Sequence, residues 1–254
     1  MKKIIALILA AVMCALCFAG CGAKKDKLIV GITEYAPMNY KDEAGNWTGF
    51  DTEFAQAVAE ELGMEVEFVV IDWDNKIMEV NAGSIDCVWN GMTLTEEVLA
   101  GMDCTDPYIK NAQVVVMKAD KAAEYTTVES MKALKFAAEA GSAGEAAIKD
   151  SGLDGAYTAV LDQAAALLEV KSGAADACVI DITMANAMTG EGTSYADLTY
   201  TLSLTSEEYG IGFKKGSDMP AKVNEVMKKL IENGKLDEIA AKYDLTNALI
   251  SNQK

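Results

Sequence analysis

Gly91-Met92-Thr93-Leu94-Thr95-Glu96-Glu97-Val98-Leu99-Ala100-Gly101-Met102-Asp103-Cys104-Thr105-Asp106-Pro107-Tyr108 is the stretch on which the reading of this chain turns. It follows Ile85–Trp89, a short apolar run of strand character, and its leading glycine allows the main chain to approach another molecule closely. Upstream, Gly49-Phe50-Asp51 starts a helix with Asp51 as N-cap, and Phe50, Phe54, Val58 and Leu62 recur four apart on one face. Gly63 stops that helix. Leu28–Thr33 and the alternating Val66, Phe68 and Val70 read as strands, with a helix over 75–82 before the strand at 85–89. Downstream, the pattern returns as strand 135–139, helix 143–150, strand 157–160, helix 162–172 and strand 176–180. Such alternation implies α/β units built on mostly parallel sheets with crossover helices. Two of them suit a chain too long for one compact core.

The first twenty residues set the compartment. Lys2 and Lys3 precede Ile4–Phe18, an uncharged apolar run, and Phe18-Ala19-Gly20-Cys21 has the pattern of a lipobox. The run falls short of the about 20 apolar residues of a membrane span. Residues 1–20 therefore read as a lipoprotein signal peptide. Cys21 is expected to carry the lipid that anchors an extracytoplasmic protein to the cell membrane, with 21–27 as tether.

The chain carries a net charge of −17, which becomes −19 once Lys2 and Lys3 leave with the leader. That balance excludes nucleic acid, whose phosphates need basic partners. It also repels anionic headgroups, which leaves the lipid as the only membrane contact. The chain has neither Arg nor His. The usual general base and metal ligand are thus missing, and no catalytic residue, metal or cofactor is expected. Three cysteines follow Cys21. Cys87 and Cys104 flank the quoted stretch and could be bridged, although small apolar core residues are the simpler reading, as for Cys178 in its apolar strand.

Three further motifs accompany the quoted stretch: Gly173-Ala174-Ala175-Asp176-Ala177, Glu208-Tyr209-Gly210-Ile211-Gly212-Phe213-Lys214-Lys215-Gly216-Ser217, and Asn233-Gly234-Lys235-Leu236 between two helices. Together they resemble the family 3 extracellular solute-binding proteins over Leu28–Leu245. The resemblance implies a two-lobed periplasmic-binding-protein-like (type II) fold. Lobe 1 would be 28–113 and 214–254, and lobe 2 would be 114–213, with crossings near Gln113–Met117 and Glu208–Phe213. Helices 219–231 and 235–243 would return to lobe 1. It further implies a monomer that binds a polar amino acid or small amine and delivers it to an ABC permease and ATPase. Two other functions are weighed against this. A few relatives dehydrate ring acids, chemistry that needs positioned acids and carboxylate-binding cations, and this chain has no Arg or His for its cleft. A sensor would need a membrane span and signalling domain beyond Leu245.

The resemblance also assigns a pocket. Tyr35 and Trp73 match aromatics that pack on the ligand, where they could sandwich an alkyl chain or a cation. A carbonyl at or beside Gly91 would accept from the ligand ammonium, and Thr93 would donate its N–H and hydroxyl to the carboxylate. Ser142 and Ala143 open the helix whose N-terminus holds that carboxylate, although Ser142 and Glu145 also have the spacing of a capping box. Asp181 would pair the α-ammonium. From the residues alone, Asn90 could supply an amide donor, and Glu34 and Glu139 add acidity beside Tyr35 and Gly141. One element departs from the family. Val98 stands where an arginine forks onto the ligand carboxylate, a contact no aliphatic side chain replaces. Either the ligand is cationic, a basic amino acid or an amine with no free carboxylate, or neutral donors alone hold a zwitterion.

Overall fold

A computed structural model of the chain describes residues 26–253; the leader and Cys21 lie outside the described residues. The first lobe runs β1 (Lys27–Ile32), a small hairpin β2 (Tyr40–Lys41) and β3 (Trp47–Thr48), α1 (Phe50–Leu62), β4 (Glu65–Val70), α2 (Lys76–Ala82), β5 (Cys87–Thr93), α3 (Glu96–Gly101), β6 (Asp103–Cys104) and β7 (Ile109–Asn111). The second runs β8 (Gln113–Lys118), α4 (Val128–Met131), β9 (Phe136–Glu139), α5 (Ala143–Asp150), β10 (Tyr157–Val160), α6 (Gln163–Ser172), β11 (Ala177–Asp181), α7 (Ile182–Met188) and β12 (Leu198–Ser203). The chain then returns through β13 (Glu207–Phe213) to α8 (Met219–Glu232) and α9 (Lys235–Lys242).

The first sheet has the order β4-β1-β5-β13-β6 with β7 also on β13, and the second β10-β9-β11-β8-β12. Each is parallel around one strand, β1 or β9, and antiparallel beyond. The sheets are therefore mixed rather than mostly parallel. Because β13 pairs with β5, the return crossing lies between Ser203 and Glu207, not at Glu208–Phe213. The outgoing crossing lies at Ala112, between β7 and β8. Residues 207–213 thus belong to lobe 1.

Both sheets bury both faces. Along β11, Cys178 and Ile180 face one apolar cluster while Ala177 and Val179 face another. Along β5, Cys87 and Trp89 likewise oppose Val88 and Met92. On α1, Phe50, Phe54 and Val58 are buried, and Gly63 closes the helix in the left-handed conformation at φ 71°. Trp89 meets Phe54 edge-on at 5.0 Å between centroids. Each such side chain contributes roughly 1.5–3 kcal/mol by burial. Asp51 is not the N-cap, which is Gly49. It lies inside the first turn, buried, where its carboxylate accepts from the Gly91 N–H at 2.6 Å and the Tyr108 hydroxyl at 2.9 Å. The helix start thereby fixes the strand end that enters the cleft.

Cys87, Cys104 and Cys178 are free thiols. Cys87 pairs across to Phe213 and Cys104 to Gly212, so β13 lies between them. Two interstrand spacings, about 9–10 Å, exceed the about 7 Å that a disulfide spans. No helix among the described residues is long and apolar enough to cross a membrane.

Candidate functional site between the lobes

A cavity of about 330 Å³ lies between the carboxyl ends of the two sheets. Trp73, Lys76, Gly91, Thr93 and Val98 line it from lobe 1, and Gln113, Glu139, Ser142, Ala143, Gln163 and Asp181 from lobe 2. The lobes touch around it. The Tyr35 hydroxyl hydrogen-bonds Thr183 Oγ1 across the cleft, and Lys76 Nζ donates to the Gly141 carbonyl at 2.7 Å. This is a closed arrangement.

Asp181 ends β11 and is buried. Asn111 and Gln113 donate to its Oδ1 and Gln163 to its Oδ2, while its own N–H donates to Gln163 Oε1 at 2.9 Å. Burial, then the charge of Glu207, push its carboxyl up to about 7 against the pull of those amides. Glu207 stands at the return crossing and accepts from Thr93 Oγ1, Asn111 and Gln113 at 2.7–2.8 Å. One polar network therefore ties both crossings to Asp181. Glu139, at the end of β9, is 2% exposed, and its Oε1 has no partner among the described residues. Burial holds its carboxyl well above the usual range.

Most of the expected residues meet here, with changed roles. Trp73, Gly91, Thr93, Ser142, Ala143, Glu139 and Asp181 line the cavity. Gly91 is required as glycine. At φ 55°, an added Cβ would come within 2.6 Å of Tyr35 Cε1. The Thr93 hydroxyl hydrogen goes to Glu207, leaving its lone pairs. Ser142 Oγ accepts the Glu145 N–H at 3.1 Å as N-cap, but Glu145 Oε2 accepts from Gly141 N–H rather than closing the box on Ser142. Asn90 also lines the wall, yet its amide is spent inside lobe 1. Its Oδ1 takes the Thr33 N–H and hydroxyl, and its Nδ2 donates to the Thr33 carbonyl. It braces the β1 loop instead of offering a donor.

Two expectations fail geometrically. Tyr35 is 1% exposed and absent from the lining, because the loop folds back through a bridge to Asn39 and sends the phenol between Thr183 and Tyr209. Its hydroxyl bridges the lobes instead of lining the cavity beside Trp73. Glu34 is exposed and outside the cavity.

The sequence reading missed Lys76, Gln113, Gln163 and Glu207. Gln163 opens α6, separated from the end of β10 by two residues, and the rule that ligands sit beyond the carboxyl ends of strands points to that segment. Lys76 lies three residues beyond Trp73, on the same side of a tight turn, with its ammonium 5.2 Å from the indole centroid. Burial depresses its pKa, while Glu97, Glu139, Asp74 and Glu145 oppose the shift.

The chain matches the model of bacterial extracellular solute-binding proteins, family 3, over residues 28–246. A probable histidine-binding protein of Neisseria gonorrhoeae is 30% identical over 96% of this chain and 96% of its own. The arginine-binding extracellular protein ArtP of Bacillus subtilis is 30% identical over 96% and 98%. Among solved structures, an ancestral arginine-binding protein bound to arginine superposes with a TM-score of 0.79 at 32% identity, covering 87% of this chain and 99% of that one. With the motifs, the two-lobed fold and the interlobe cavity in agreement, the chain belongs to the family 3 bacterial extracellular solute-binding proteins.

Proposed function

We propose that this protein is a receptor that closes its lobes on one amino acid and hands it to an ABC importer, held at the membrane by a lipid on Cys21. The observation that carries the reading is the closed cavity with a buried carboxyl, Asp181, on one lobe and Thr93 and Lys76 on the other. Its volume is at the small end of the 300–1,000 Å³ common for ligand sites, which admits a single amino acid. Asp181 is placed for an α-ammonium. The relatives named for histidine and arginine binding support the ligand class, and those names are of binding proteins rather than enzymes.

Calorimetric titration with the common amino acids tests the reading. At least one should bind with a dissociation constant in the micromolar range or tighter. The same ligand should raise the melting temperature, since ligand that binds only the folded state stabilises it by mass action. No binding by any of them would remove the amino-acid assignment. For the anchor, Cys21→Ser should move the protein from the membrane to the soluble fraction. Retention of the variant on membranes would mean another attachment.

A further inference from the structure

We propose that Lys76 holds the carboxylate of the bound amino acid, and that the ligand therefore keeps a free carboxylate; the proposal rests on the amino-acid reading above and makes it specific. Lys76 is the one cationic side chain among the residues lining the cavity, in a chain without Arg or His. It is 6% exposed. A buried ammonium is costly unless paired, yet among the described residues no carboxylate lies within ion-pairing distance of it. Its hydrogen bonds are to two neutral carbonyls, Gly141 at 2.7 Å and Trp73 at 3.3 Å. An ammonium has three donors. One remains, on a charge without a counter-ion, in a cavity built for a small ligand.

The rest of the lining is mainly acidic, with Glu96 and Glu97 on lobe 1 and Glu139, Asp150 and Asp181 on lobe 2, so Lys76 is its one cationic contact for a carboxylate. Val98 beside it is apolar and offers no donor. Across the cleft, the first turn of α5 lines the same space with Ser142 and Ala143, and a helix start favours negative charge. A zwitterion would set its carboxylate at Lys76 and its ammonium at one of the lining acids, Asp181 being the one that ends β11. An amine lacking the carboxylate would leave Lys76 unpaired and meet its repulsion. Lys76 thus favours a ligand that keeps its carboxylate, whether or not its side chain is cationic.

The test separates a carboxylate contact from a mere strut between lobes. Lys76→Met keeps the aliphatic stem over Trp73 and removes the charge. The wild type and the variant are titrated with arginine against agmatine and with histidine against histamine, pairs that differ by the carboxylate. The wild type should prefer each amino acid. The variant should lose roughly 10- to 100-fold in amino-acid affinity, the range of one charge-assisted hydrogen bond, with amine binding unchanged or tighter. Loss of a strut alone would weaken both members of a pair equally. Val98→Arg added to Lys76→Met should restore the preference by supplying a cation from the adjacent wall. If Lys76→Met unfolds, Lys76→Gln gives the same comparison. An unchanged amino-acid-to-amine ratio in the variant, or a wild type that prefers the amines, overturns the proposal. If neither arginine nor histidine binds, the amino acid found in the screen above is compared with its decarboxylated amine in the same way, and a wild type that binds none of the common amino acids overturns the amino-acid receptor itself.

Discussion

Asp181→Ala is expected to raise the dissociation constant for the amino-acid ligand by on the order of 100- to 1,000-fold, because it leaves a buried ammonium without its counter-charge, a loss of about 3–5 kcal/mol. The side chain is buried and held by Asn111, Gln113 and Gln163, and the nearby Glu207 is already engaged by Thr93, Asn111, Gln113 and Thr205. The same carboxyl gives binding a pH dependence. Burial in the cavity, then the charge of Glu207, raise it toward about 7. Below that pH, an arriving ammonium must displace a proton, and affinity should fall by up to about tenfold per pH unit. The acid limb should vanish in Asp181→Ala. Stability runs the other way. Asp181 and Asp51, both pushed to about 7 by burial, have folded pKa values above their unfolded ones. They contribute stability below about pH 4 that is lost as pH rises through about 7. The ligand-free protein should therefore melt lower at pH 8 than at pH 5. Calorimetric titration from pH 5 to 8 with parallel melts checks both signs. An affinity independent of pH would place the ammonium elsewhere.

Much of this architecture is legible in the sequence because its signals are local. Helix 143–150 and strand 157–160 have in the structure the bounds that the sequence pattern suggests. What fails is long-range. Nothing within Glu207–Phe213 says which sheet it joins, since Tyr209–Phe213 are buried throughout and pairing with β5 is settled by register against a distant strand. Tyr35 has the right place after a strand, and only the fold-back onto Asn39 turns its phenol from cavity to lobe contact.

Lys76 and Glu139 show the same limit in the site. A lysine at the start of a short helix reads as a solvated surface residue. Its burial comes from the other lobe, whose Gly141 carbonyl covers it. Glu139 looks like a free acid beside a loop, but it is buried at the end of β9. Charges counted along the chain give an acidic cleft, and the assembled cavity is lined by five acids, but it also holds one desolvated cation that the count did not place there. The sequence shows which groups are near the cleft, and lobe closure decides which of them keep water.

Closure itself is testable at Gly141. Gly141→Ala is expected to raise the dissociation constant on the order of 100-fold while reducing folding stability by only about 1–2 kcal/mol, the cost of a left-handed non-glycine residue. Its φ is 67°, and an added Cβ would stand 2.6 Å from both Cα and Oδ1 of Asp74 in the opposite lobe. A backbone atom cannot rotate aside, so the clash acts only when the lobes meet. If it reduces the closed fraction to about 1%, the apparent dissociation constant rises by the inverse of that fraction. Gly152→Ala is the matched control. Gly152 has φ 66° with nothing within 4 Å of its added Cβ, so it should show the backbone cost alone and bind normally. Small-angle scattering at saturating ligand should find Gly152→Ala as compact as the wild type and Gly141→Ala more extended. Equal affinity in the two variants would mean that ligand is held without the lobes closing onto Asp74, and the clamp would be lost with it.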